Sequence, residues 1–115
     1  MNKISTPTKP RSVRLLVGGK WVDGAGTAPL YDKYTGEQVA EIAIADEAIV
    51  NRAIAALDDA FRRGPLTPAA RAVALAKASE LVESRKAELV ETIVTEAGFA
   101  RSDAEGEVSR TIQTL

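Results

Sequence analysis

The stretch TPAARAVALAKASELVESRKAELVETIVTEAG, residues 67–98, decides how the rest of the chain is read. Thr67 offers a side-chain oxygen to the free amides of a starting helix. Pro68 suits the first helical position, where an N–H would have no partner anyway. Gly98 is the expected stop, because glycine takes the left-handed conformation after a helix without strain. No other glycine or proline stands between these signals. Ala74, Ala78, Leu81, Val82, Leu89, Ile93, Val94 and Ala97 recur at three- and four-residue steps and form one apolar stripe. Arg71, Lys77, Glu80, Glu83, Lys86, Glu88 and Glu91 fall largely on the other side. At 1.5 Å per residue such a helix runs about 45 Å. Arg85 and Lys86 interrupt the stripe, so a kink or split is expected between Glu83 and Lys86. A helix of that length needs a sizeable surface to lie on.

Composition sets the limits. At 115 residues the chain fits one domain or one piece of a larger one. Its 15 basic and 16 acidic residues leave a net charge of −1, which implies no overall attraction to nucleic acid or an anionic membrane. Cysteine and histidine are both absent, which removes disulfides, thiolate zinc sites, cysteine nucleophiles and histidine bases from these residues. No apolar run approaches the ~18 residues of a spanning helix. Alanine supplies 20 of the 52 hydrophobic residues, leaving 32 larger ones. Alanine buries little area and serves mainly to let helices approach closely. Set against the entropy of ordering the chain, the larger side chains are few. Part of the apolar surface is therefore expected to face more protein than is present.

Residues 1–14 carry Pro7, Pro10 and four basic residues with no acid. An organelle transit segment would need an amphipathic apolar face, so a disordered tail is the plainer reading. Leu15–Val17 and Lys20–Val22 flank Gly18-Gly19, a pair suited to the positive φ angles of a two-residue hairpin turn, with Trp21 as the anchor of one strand face. Asp23–Thr27 reads as a flexible turn. Gly19 and Gly24 have the outer spacing of a phosphate loop, but no Gly-Lys-Ser/Thr follows, and with Gly18 and Gly26 they make no dinucleotide fingerprint. A second hairpin is expected from Leu30–Tyr34 and Glu37–Ile44 around Thr35-Gly36. Asp46 then caps a helix reaching Arg62 or Arg63 and ended by Gly64-Pro65. Its apolar positions are Ile49, Val50, Ala53, Ile54, Leu57, Ala60 and Phe61. Asp58 and Asp59 are neighbours about 100° apart around that helix, which suits a solvated face and not a proton-sharing pair. Beyond Gly98, Ser102 and Glu105 have the spacing of a capping box. Ala104, Val108, Ile112 and Leu115 mark a last amphipathic helix whose stripe is still open at the C-terminus.

In order and spacing, Leu15 to Leu115 resembles the N-terminal part of the NAD(P)-dependent aldehyde dehydrogenase superfamily. The matching pieces are Val17-Gly18-Gly19-Lys20-Trp21-Val22, Thr35-Gly36-Glu37-Gln38-Val39-Ala40 and the helix from Ala53-Ile54-Ala55-Ala56 to Ala60-Phe61. They continue with Arg71, Leu75, Ala78, Leu81, Arg85 and Glu88-Leu89, then Glu96-Ala97-Gly98 and Glu107-Val108. Three positions depart from the family pattern. Asp32-Lys33-Tyr34 stands where Asn-Pro is usual, Phe99 replaces a lysine, and no tryptophan follows the first helix. These departures leave the subfamily, and with it the substrate, open.

The resemblance implies an α+β segment, two β-hairpins followed by three to four α-helices, in which residues 15–115 form the outer part of a Rossmann-like coenzyme-binding domain and are incomplete alone. The parent enzyme it implies oxidises an aldehyde to a carboxylic acid through a cysteine thiohemiacetal, with NAD or NADP as cofactor. In the family pattern the nucleophile, the oxyanion site and the nucleotide fold lie beyond Leu115. The segment is thus expected to hold no catalytic or cofactor-binding residue, to bind no cofactor alone and to be inactive alone. The remainder of the chain is the implied partner, within a cytoplasmic homo-oligomer that engages neither nucleic acid nor membrane. The resemblance also maps a backbone site for a monovalent cation onto Tyr31 and Glu96, hard cations preferring oxygen; the other reading of Glu96 is a buried structural residue at a helix end. Two further hypotheses stand beside the family one. A helical interaction module would use the same open stripes, but has no evident need of the double hairpin. An intact small enzyme would have only carboxylates, Ser, Thr and Lys to work with, and none is spaced as a triad or metal site.

Overall fold

The computed structural model describes residues 9–115. Its elements are β1 (Arg11–Val13), β2 (Leu15–Val17), β3 (Lys20–Val22), β4 (Gly26–Tyr31), β5 (Gln38–Ile44), α1 (Glu47–Arg62), α2 (Pro68–Ser84), α3 (Lys86–Ala97) and α4 (Arg101–Thr114). This is the expected α+β segment of two hairpins followed by helices. The chain divides into two units: residues up to Tyr31 with Gly36–Pro65, and Asp32–Thr35 with Leu66–Leu115.

In the first unit β5 is the middle strand of a sheet ordered β1-β5-β4. β1 runs parallel to it, with Arg11 opposite Ala40 and Val13 opposite Ile42. The tail expected over residues 1–14 therefore gives way to a strand at Arg11. An otherwise open edge of β5 offers unpaired donors and acceptors to any extended segment beside it, and Val13 gains partial burial there. Residues 1–8 of that expected tail lie outside the described residues.

The Gly18-Gly19 hairpin forms as expected. Gly18 and Gly19 both have positive φ, 57° and 76°, the requirement of the tight turn that matches strand twist, and Leu15 pairs with Val22. Trp21, however, anchors nothing in this unit. It lies across from Leu16, and the two are 62% and 60% exposed. The half-buried face of the hairpin carries Leu15, Val17 and Val22 instead.

β4 begins earlier than expected and ends earlier too. Gly26 already pairs with Ile44 and Thr27 with Ala43, so the segment read as a flexible turn is partly strand. Gly24 is needed for a close approach: a Cβ there would lie 2.5 Å from the Ile44 carbonyl oxygen, and the next amide, Ala25, donates to that oxygen at 2.9 Å. At the far end β4 stops at Tyr31, with a shift of register between Leu30 and Tyr31. Asp46 caps α1 by accepting from the Ile49 amide at 2.8 Å. Asp58 pairs with Arg62 and Asp59 with Arg63, at 2.8 and 3.0 Å; the adjacent carboxylates thus take separate partners on a solvated face.

In the second unit the long helical stretch is split at Arg85, whose φ of −108° and ψ of 14° leave the helical region. The break falls inside the expected interval. Val90, Ala104 and Val108 form the buried cluster, with Val82, Leu89, Ile93, Val94 and Ile112 partly buried around it. Val90, absent from the expected stripe, is its α3 member. Leu81, included in that stripe, is 51% exposed, and α2 has no buried residue. The last helix starts at Arg101 with Ala100 as its cap and no side-chain cap bond, so Ser102 lies inside the first turn and the expected capping box does not form. This start seats Ala104 and Val108 against α3, which closes the upper part of a stripe expected to stay open. Among the described residues no helix is long and apolar enough to cross a membrane.

Candidate functional site

The second unit brings four residues of the connection between β4 and β5 onto the C-terminal end of α3. Asp32 organises them. Its Oδ1 accepts the Tyr34 amide at 2.7 Å and the Thr35 amide at 2.9 Å, a side-chain imitation of a backbone turn. The Thr35 N–H, and after it the Tyr34 N–H, hold the Asp32 carboxyl below the usual carboxylate range. The turn then docks at two points. The Lys33 amide donates to the Thr95 carbonyl at 3.2 Å. The Tyr34 hydroxyl reaches the Gly98 carbonyl at 3.1 Å and the Phe99 carbonyl at 3.4 Å.

Gly98 makes this docking possible. Its φ of 75° is left-handed, and its amide donates to Val94 at 3.1 Å, closing α3 as the sequence suggests. A Cβ at Gly98 would stand 3.0 Å from the Lys33 Cβ, so the turn can sit this close only over glycine. The last carbonyls of a helix lack intrahelical donors and carry its negative end; here Lys33 and Tyr34 supply donors from outside. The arrangement is rich in oxygen and holds no nucleophile with a base. Its hydrogen bonds position the turn on the end of α3.

The two residues expected to hold a cation fall in different units. Tyr31 ends β4 opposite Gln38 and is exposed, while Glu96 stands in the last turn of α3 and is half-buried, not fully buried as its structural reading required. Among the described residues no three His, Cys, Asp or Glu side chains are grouped to hold a metal, so a cation here would depend on backbone oxygens. The Asp32 turn was not anticipated, although its signal was present: an aspartate followed by Thr-Gly at the third and fourth positions is a turn pattern.

A second feature is a groove of about 600 Å³ lined by residues that include Glu83, Lys86, Val90, Glu91, Arg101 and Glu105. It holds one ion pair and one hydrogen bond between helices. Arg101 pairs with Glu91 at 2.6 Å, and Lys86 donates to the Ser109 hydroxyl at 3.1 Å. That hydroxyl gives its own proton to the Glu105 carbonyl at 2.8 Å, so the Lys86–Ser109 pair ties helices together and does not activate an oxygen. Gly19, with Gly18, forms the hairpin turn, and Gly24 lies against Ile44.

A profile of the aldehyde dehydrogenase family matches residues 21–115. The chain belongs to that family. It corresponds to the family's N-terminal segment. The 3-sulfolactaldehyde dehydrogenase of Priestia megaterium (strain ATCC 12872 / QMB1551) is 35% identical over 108 residues, which cover 94% of this chain and 22% of that protein. The malonate-semialdehyde dehydrogenase of Bacillus pumilus (strain SAFR-032) is 32% identical over 113 residues, 96% of this chain and 23% of that protein. Among solved structures, aldehyde dehydrogenase 21 from Physcomitrella patens, in complex with the reaction product succinate, superposes with a TM-score of 0.84 at 29% identity, over 93% of this chain and 23% of that one. The NAD-dependent benzaldehyde dehydrogenase from Corynebacterium glutamicum gives a TM-score of 0.78 at 33% identity, over 84% and 22%. The aldehyde dehydrogenase segment described here thus spans less than a quarter of the length of these relatives.

Proposed function

We propose that this segment is the outer part of the coenzyme-binding domain, over residues 15–115, of an enzyme that oxidises an aldehyde to a carboxylic acid with NAD or NADP. The match of the family profile across residues 21–115 carries the reading. The missing machinery agrees with it: with no cysteine in the chain, the thiolate that forms the thiohemiacetal must come from the remainder of the parent. So must the nucleotide site, since the glycines here are engaged elsewhere. The segment alone is inactive and binds no nucleotide. Exposed apolar rows on α1 and α2 support the remainder of the parent chain as the partner that covers them. A helical interaction module would use the same rows, but it leaves the two hairpins without a role. The parent is a cytoplasmic homo-oligomer, and nothing in the balanced charge of this chain invites nucleic acid or a membrane surface.

The test is a mixing experiment. The chain is added to the separately expressed remainder of a related dehydrogenase, and NADH formation is followed over a panel of aldehydes. Activity that arises only on mixing is expected; absence of both activity and binding overturns the assignment of this segment as the covering layer. To the same proposal belong the Tyr31 and Glu96 carbonyls as ligands of a monovalent cation, favoured by the negative end of α3. For the reassembled enzyme, a melting temperature unchanged when sodium and potassium are replaced by tetramethylammonium removes that part.

A further inference from the structure

The C-terminal end of α3 gathers negative charge. Its last carbonyls carry the negative pole of the helix. Its last turn holds Glu96 and no basic residue, and Asp32 brings a second carboxylate with the turn that docks there. The chain that follows does not offset this. Phe99, where the family pattern carries a lysine, and Ala100 are uncharged, and Arg101 is committed to Glu91 at 2.6 Å.

Lys33 is the cation brought to this place by the fold. Its amide is fixed on the Thr95 carbonyl at 3.2 Å. Its stem crosses Gly98, with Cβ and Cγ 3.0 and 3.2 Å from the point that a Gly98 Cβ would occupy. A lysine stem laid along a surface in this way keeps its ammonium in water, here beside the helix end. Two departures from the family pattern, the lysine lost at Phe99 and the one present at Lys33, therefore meet at Gly98.

We infer that Lys33 is the counter-charge of the α3 C-terminus, supplied through space from the β4–β5 connection in place of a basic residue next to Gly98 in the chain. The turn is then held to the helix by a salt-sensitive attraction in addition to its hydrogen bonds. Such an attraction acts on the last turn of a helix and fades as salt rises. This holds whether or not the enzymatic reading does.

Hydrogen–deuterium exchange on the full 115-residue chain tests it, read at the amides of residues 94–97 as the ratio of variant to unaltered chain in one buffer. Lys33→Met keeps a stem over Gly98 and the main-chain bond to Thr95, and removes the charge. At low ionic strength it should speed those amides about two- to fivefold. In ~1 M NaCl the ratio should fall back towards one, because charges are screened beyond about 3 Å. Lys33→Arg should exchange like the unaltered chain, and Phe99→Lys added to Lys33→Met should restore protection. The counter-charge is ruled out if Lys33→Met changes nothing at low salt, if its effect persists undiminished at high salt, or if Phe99→Lys brings no recovery. A loss shared by Lys33→Arg would overturn it too, since the lysine's shape and not its charge would then be what matters.

Discussion

Gly98 carries two demands that no other residue meets together. Its backbone is left-handed, which costs a residue with a Cβ about 1–2 kcal/mol, and an added Cβ would stand 3.0 Å from Lys33. Gly98→Ala is expected to destabilise the second unit by ~2 kcal/mol in urea titration; a neutral result would show that the turn does not rest on the end of α3. Asp32 tests the same contact from the other side. Its carboxyl is lowered by the Thr35 and Tyr34 amides, so the folded value lies below the unfolded one. The stabilisation is then fully present above the ordinary carboxylate range and is lost as pH falls through the lower, folded value. An NMR titration of the Asp32 carboxyl should show that depressed midpoint, and Thr35→Pro, which removes one donor, should move it up. Neither residue's role could be read from the sequence by composition or period. Gly98 was legible as a helix stop, but its approach to Lys33 joins positions that only folding brings together.

At the scale of elements, what can be read locally formed as expected. The Asp46 cap, the Thr67 cap with Pro68 behind it, the Gly18-Gly19 turn and the break near Arg85 all depend on residues within a few positions of one another. The failures share the opposite origin. Ser102 and Glu105 have capping spacing, yet α4 begins at Arg101 because burial of Ala104 and Val108 against α3 decides where the helix starts. β1 forms because β5 lies beside it, which no local rule about Pro10 or Arg11 contains. Burial likewise sorts the apolar stripes, and this yields a paired prediction. Val90→Ala, at a site 3% exposed, should cost about 2 kcal/mol through lost methyl groups and the cavity left behind. Leu57→Ala, at a site 72% exposed, should change the melt by less than ~0.5 kcal/mol at dilutions where the chain is monomeric. Equal effects would mean that the α1 stripe is covered after all.

For the whole molecule, the exposed side chains dominate. Val50, Ile54, Leu57 and Phe61 follow one another along α1 with at least 46% exposure each, a contiguous apolar row of the kind that marks an interface. The isolated chain is therefore expected to self-associate or to melt broadly, and sedimentation velocity should show species heavier than the 12.2 kDa monomer. A clean monomer with one sharp cooperative transition would contradict this. The sequence by itself determined the family, the two hairpins, the helices, their main caps and the lack of a cysteine nucleophile, since these depend on residue identity, order and short spacing. The tertiary structure alone decided that Val90 and not Leu81 belongs to the core, that Arg11–Val13 is a strand, and that Asp32, Lys33 and Tyr34 close over the end of α3. Those outcomes rest on which surfaces meet across long stretches of chain, and burial and hydrogen bonding between distant residues leave no periodic trace in the sequence.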